Sequence, residues 1–119
     1  MSDREVSESK YAPMVDEVRK IYTKDGANLF SDPDAYGINK HYPSKDGKIV
    51  FEFYWDSLDK IYTPDGYITP LGSYSGNGNT GELAQAALIE KFGLQFVGQR
   101  DGLRGERWFT YEATKGIPA

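Results

Sequence analysis

The chain has no cysteine and a single histidine, His41. Without thiols there are no disulfides, no thiolate metal site and no Cys nucleophile. One His without Cys lacks the donor set of a zinc centre, so neither a metal nor another cofactor is expected. No stretch approaches the roughly 18 apolar residues of a membrane span. The opening MSDREVSESK has no apolar core of a secretory signal. The expected location is therefore cytoplasmic, without membrane attachment. A broad basic surface is missing as well: 14 Lys and Arg stand against 18 Asp and Glu, a net charge of -4. That balance argues against a general nucleic-acid binder and is too small for a polyanion mimic.

Against these absences stand 119 residues, 39% of them hydrophobic and 27% charged, within the range of one globular domain. Such a chain buries roughly 65% of its unfolded surface, enough for a core without staples. Aromatics reach 14%, with nine Tyr. Tyr combines a large apolar area with a polar tip and suits half-exposed surfaces and interfaces.

Residues 1–10 are polar and mixed in charge and read as a disordered tail; residues 11–115 form the expected single domain. In YAPMVDEVRKIY, Pro13 suits a first helical turn, and Val15, Val18, Ile21 and Tyr22 recur at helical spacing, so a short amphipathic helix is expected over 13–22. Asp-Gly occurs four times, at 25–26, 46–47, 65–66 and 101–102, and favours tight turns. These turns frame a strand at 48–55, a hairpin with strands near 59–63 and 67–70, and a longer-looped hairpin near 94–99 and 106–113. In the first strand Ile49, Phe51, Phe53 and Trp55 alternate with Val50, Glu52 and Tyr54. KIYT-x-DG appears at 20–26 and 60–66 with different flanks, which reads as reuse of a turn. Loops are expected at 31–43 and 72–80. GELAQAALIEKFG is the strongest helix, with Leu83, Ala87, Leu88 and Ile89 as its apolar face and Gly93 as its stop. The expected fold is α+β: a hairpin-built antiparallel sheet with one main helix packed on one face and a short N-terminal helix.

Several strings resemble sites. Gly76-Asn77-Gly78-Asn79-Thr80-Gly81 matches G-x-G-x-x-G and precedes a helix, and Asp101 follows at the distance of a ribose-binding acid. The preceding YITPLGSYS is broken by Pro70 and Gly72, so the strand a dinucleotide site requires is missing. The favoured reading is a helix start capped by Asn79, with Glu82 closing a capping box. The other is an anion held by free N–H groups, with Gly76, Gly78 and Gly81 shaping the loop. DPDAYG at 32–37 opens like a calcium loop, but Tyr36 and Pro43 occupy ligand positions. His41 lacks a nucleophile elbow, and no pair among Glu52, Asp56, Asp59, Asp65, Glu106 and Glu112 can be placed across a cleft from sequence.

The remaining signal is recognition. Arg100, Arg104, Arg107 and Trp108 cluster in the last hairpin, and Arg and Trp are the residues that anchor interfaces. Tyr36, Tyr42, Tyr67 and Tyr74 offer a second set. The expected function is a small non-catalytic binding protein: a protein–protein interaction module such as an inhibitor, adaptor or accessory subunit, of the size found among phage accessory proteins. The alternative is a small-molecule, nucleotide or anion binder using the 75–82 loop. More remote is a hydrolase built on His41 or a carboxylate pair.

Overall fold

Ser9 and Tyr11 begin the first helix, α1 (Ala12–Lys24), in the computed structural model, which describes residues 9–24, 28–29, 38–39, 42–44, 46–55, 57–68, 74–75 and 81–115. Pro13 sits in the first turn, where its missing N–H costs no helical bond. Met14, Val15, Val18 and Tyr22 are buried along one stripe, as the spacing implies. Ser9, placed in the tail by composition, is buried instead. Its hydroxyl donates to Asp65 Oδ2 at 2.8 Å and accepts from the Tyr11 N–H at 3.0 Å.

The strands are β1 (Asn28–Leu29), β2 (Ile38–Asn39), β3 (Val50–Tyr54), β4 (Ser57–Thr63), β5 (Gly66–Ile68), β6 (Tyr74–Ser75), β7 (Leu94–Asp101) and β8 (Arg107–Ala113); helix α2 (Glu82–Phe92) precedes β7. Six strands form one sheet in the order β2-β5-β4-β3-β8-β7, every pairing antiparallel. β1 and β6 form a separate two-stranded sheet. The spans 31–43 and 72–80, expected as loops, each contain a short strand, β2 in the first and β6 in the second. Asp46 (φ 59) and Gly47 (φ 69) both adopt left-handed backbone in the turn before β3, the conformation for which Asp-Gly is suited. The first Asp-Gly, at 25–26, lies outside the described residues.

Both helices pack on one face of the six-stranded sheet. The core joins Val15, Val18 and Tyr22 of α1, Ala84, Leu88 and Phe92 of α2, and Phe51, Phe53, Leu58, Ile61 and Ile68 of the strands. Tyr22 is fully buried, and its hydroxyl accepts the Leu58 N–H at 3.2 Å, which satisfies a polar tip inside the core.

Three details depart from the sequence reading. The inward stripe of α2 is Ala84, Leu88 and Phe92, at i, i+4 and i+8, while Leu83 is 73% exposed and Ala87 half-buried. Apolar and polar residues are interspersed around this helix, so the sequence favours no single stripe, and packing chose the one ending on Phe92 against Phe51, 5.5 Å away. β3 ends at Tyr54, so Trp55 does not share the burial of Phe53 and is 60% exposed. The N-cap of α2 is Gly81, with no side-chain cap bond, so Glu82 holds the first helical position and the Asn79–Glu82 capping box does not form. Asn79 itself lies outside the described residues. Gly93 does stop the helix: it is left-handed (φ 59, ψ 48) and donates its N–H to the Ile89 carbonyl.

Candidate functional site

The face of the sheet turned away from the helices follows from strand alternation. Phe51 and Phe53 point into the core, so Val50, Glu52 and Tyr54 point outward. Register then fixes their neighbours. Glu52 stands opposite Lys60 of β4 and Thr110 of β8, Tyr54 opposite Trp108, Trp108 opposite Arg100 of β7, and Tyr62 opposite Tyr67 of β5. A register shift after Glu52, where Phe53 faces Leu58 and Glu52 faces Lys60, makes Asp59 the extra residue of a bulge.

Glu52 is the centre of this face. It is only 4% exposed although it points away from the core, because neighbouring side chains fold over it. Arg100 Nε donates to its Oε2 at 3.0 Å, and the Tyr62 hydroxyl donates to its Oε1 at 3.4 Å. Rings and cations continue outward from it. The Arg100 guanidinium carbon lies 5.2 Å from the Trp108 ring centroid, and Lys60 Nζ lies 5.9 Å from Trp108 and 5.8 Å from Tyr67. Tyr67 reaches Tyr62 at 5.9 Å and Tyr42 at 5.5 Å, and Tyr54 reaches Trp108 at 4.9 Å. All are within the range of favourable ring–ring and cation–ring contact.

The charges on this face close locally. Arg100 pairs with Glu52, Lys60 with Asp59 at 2.7 Å, and Lys48 with Glu112 at 3.3 Å. The hydrogen bond to Glu52 raises the proton affinity of Arg100 still further, against a smaller opposing effect of burial. Burial alone would lower the Lys60 ammonium, but the bond to Asp59 and its charge outweigh that and raise it. Burial, and then the Glu52 charge, raise the Tyr62 phenol.

Arg100, Trp108, Tyr67 and Tyr42, scattered over the sequence, therefore meet on one surface. Arg107 does not join them: it alternates with Trp108 on β8, and its Nε lies 3.6 Å from Asp101. Arg104 sits at the hairpin tip, its backbone N–H bonded to Glu106 at 2.7 Å, apart from the cluster. Tyr74 belongs to β6 in the other sheet. Tyr36, His41, Gly76, Gly78 and the DPDAYG string lie outside the described residues. Gly81 is buried with φ 113, and the helix it opens lies on the core side of the sheet. The cleft beside it, about 320 Å³, is lined by Trp55, Glu82, Gln85, Phe109 and Tyr111. None of the hairpin arginines lines it, so the helix start and Arg100 occupy opposite faces.

Sequence inspection missed Lys60, Tyr62, Tyr54 and the central role of Glu52. The available signal was alternation in FEFYW combined with hairpin register, which puts Glu52, Lys60 and Tyr62 on one side. Among the described residues, no group of three or more His, Cys, Asp or Glu converges as a metal site, and no helix is long and apolar enough to cross a membrane. Comparison of the chain with protein-family models, with curated proteins and with solved structures finds no match in any of the three.

Proposed function

We propose that the chain is a non-catalytic protein-interaction module whose contact surface is the outer face of the six-stranded sheet. The observation that carries this reading is the joining of Arg100, Trp108, Lys60, Tyr62 and Tyr67 around one buried carboxylate on a face that no described helix covers. Trp, Tyr and Arg dominate the energetics of protein interfaces, and their effect is greatest where they are held in place before binding. The ring and ion-pair contacts supply that preorganisation. Because each cation has its own carboxylate, the face presents little uncompensated charge for a phosphate backbone. A protein surface contributing apolar area and a few exchanged hydrogen bonds suits it better.

The test uses the immobilised chain as bait in lysate of the cells that make it, with captured proteins quantified by mass spectrometry. The Arg100→Ala/Trp108→Ala double variant should lose the specific partner, whereas Leu83→Ala, on the opposite side, should keep it. Purified partner should then bind the double variant at least about 30-fold more weakly, the scale of one interface anchor. Equal capture by the double variant would remove this face from the assignment.

A further inference from the structure

We propose that the cleft at the start of α2, on the core side of the sheet, binds an alkylammonium head group. This site lies opposite the interaction surface above and stands or falls separately from it.

Its lining is selective in chemistry. Three of the five residues are aromatic (Trp55, Phe109 and Tyr111), the others are Glu82 and Gln85, and none is basic. The Trp55 and Phe109 ring centroids lie 6.4 Å apart with their planes at 56°, so the two rings form walls that meet at an angle. Tyr111 follows Phe109 by two residues on the same side of β8 and extends the aromatic lining. Aromatic faces carry negative potential and attract cations, alkylammonium groups above all. Glu82 adds a formal negative charge at the rim, and no ion pair or hydrogen bond occupies its carboxylate among the described residues. An anion would meet repulsion from both the rings and Glu82. A neutral apolar ligand would leave Glu82 unused. A volume of about 320 Å³ takes a trimethylammonium group with the start of its attached chain.

Trp55 gives an independent reason to regard this cleft as built for binding. Trp55 opens the two-residue connection between Tyr54 and Ser57, and its φ of +56° is the one such a tight turn demands; Gly, Asn or Asp ordinarily fills that position, and a bulky side chain occupies it at a cost. The ring gains little burial in exchange, since it is 60% exposed. The Gln85 side-chain amide, at 3.5 Å, points its donor at the Trp55 carbonyl and ties this strained residue to α2. The turn sets the backbone, so what needs explaining is the choice of Trp at a position that favours small residues, and its ring lining the cleft supplies a reason.

The test is a titration followed by ¹⁵N–¹H correlation spectra, with choline as probe and 3,3-dimethylbutan-1-ol as its uncharged isostere. Choline should shift the Trp55 indole N–H and the Gln85 side-chain amide in a saturable way at about millimolar concentration, leaving the Trp108 indole in place. The isostere should bind about 5- to 30-fold more weakly, the value of the charge against aromatic rings. Glu82→Gln should weaken choline about 2- to 5-fold. Trp55→Gly should abolish the shift at Gln85 while leaving the melting temperature unchanged or higher, because the left-handed backbone is relieved. A peptide carrying trimethyllysine that binds about tenfold more tightly than choline would assign the head group to a polypeptide, and equal binding would assign it to a free base. Equal affinity for choline and its isostere, no saturable shift by about 100 mM choline, or a Trp55→Gly variant that is folded and still binds would overturn the proposal.

Discussion

Phe53 and Glu52 are neighbours on one strand, and both are almost fully buried, yet they are held by different physics. Phe53 lies among helices and strands that exclude water, with Tyr111 edge-on at 5.4 Å. Glu52 lies on the side without helices and is covered only by side chains reaching over it from β4, β7 and β8. The core side depends on volume and shape. The outer side depends on the direction and charge of a few contacts. One face is therefore suited to holding the fold, and the other to exchanging contacts with something else.

The largest expected effect lies on the core side. Phe53→Ala should cost about 3–5 kcal/mol in equilibrium denaturation, the range for emptying a buried aromatic site. A loss under about 1 kcal/mol would mean the two faces do not differ in kind. Next comes the outer pair. Arg100→Ala leaves Glu52 with Tyr62 as its remaining hydrogen-bond donor among the described residues, and should cost about 1–2 kcal/mol. The Arg side chain is itself half-exposed, which keeps the figure below that of a fully buried ion pair. Arg100→Lys should recover only part of the loss, since Lys cannot reproduce the guanidinium geometry against both Glu52 and Trp108. Full recovery would make the contact a matter of charge alone.

Alternation and turn chemistry made most of this sheet legible beforehand. Ile49, Phe51 and Phe53 announced the buried face, and the Asp-Gly turns framed five of its six strands, β3, β4, β5, β7 and β8. The stripe on α2 was not legible, because Leu83, Ala84, Ala87 and Leu88 are all apolar and only the position of Phe51 decides among them. Arg100 and Trp108 were legible as one hairpin, but their meeting with Lys60 and Tyr42 was not, since it depends on β3 pairing with β8 across a long separation in sequence. β3 and β8 meet with Phe51 opposite Tyr111, and no local pattern encodes that register. The N-cap failed for a simpler reason: Gly81 can itself adopt the cap conformation at φ 113, so the nearby Asn79–Glu82 spacing carried no information.

Smaller effects sharpen the contrast through pH. The Tyr62 phenol is raised above its ordinary value of 10.0, first by burial and then by Glu52. Tyr11 is raised likewise, by burial and then by Asp65. A raised value in the folded state means that the fold favours the neutral phenol. That contribution is complete below the unfolded value near 10 and is lost as pH rises through the higher folded value. The raised Lys60 ammonium acts with the same sign. Denaturation midpoints should therefore fall as pH rises past the ordinary tyrosine value of about 10, and Tyr62→Phe should flatten the fall at a cost of about 0.5–1 kcal/mol near neutrality. An unchanged slope in that variant would detach Tyr62 from Glu52. The smallest effect belongs to Leu83→Ser, which should stay within about 0.5 kcal/mol of the parent because the side chain is already in water.

The pairing of β3 on both sides has a consequence for how the chain is made. Its β4 edge is supplied by the next residues to leave the ribosome, but its other edge waits for β8, Arg107–Ala113, some fifty residues later. Until that segment emerges, the nascent sheet carries an open central strand whose sequence is VFEFY. Such an edge readily accepts a wrong partner. Closure of the sheet around β3 is thus tied to synthesis of the β7–β8 hairpin, and a chain halted before residue 107 would present for aggregation or chaperone capture a strand that the folded sheet keeps in its middle.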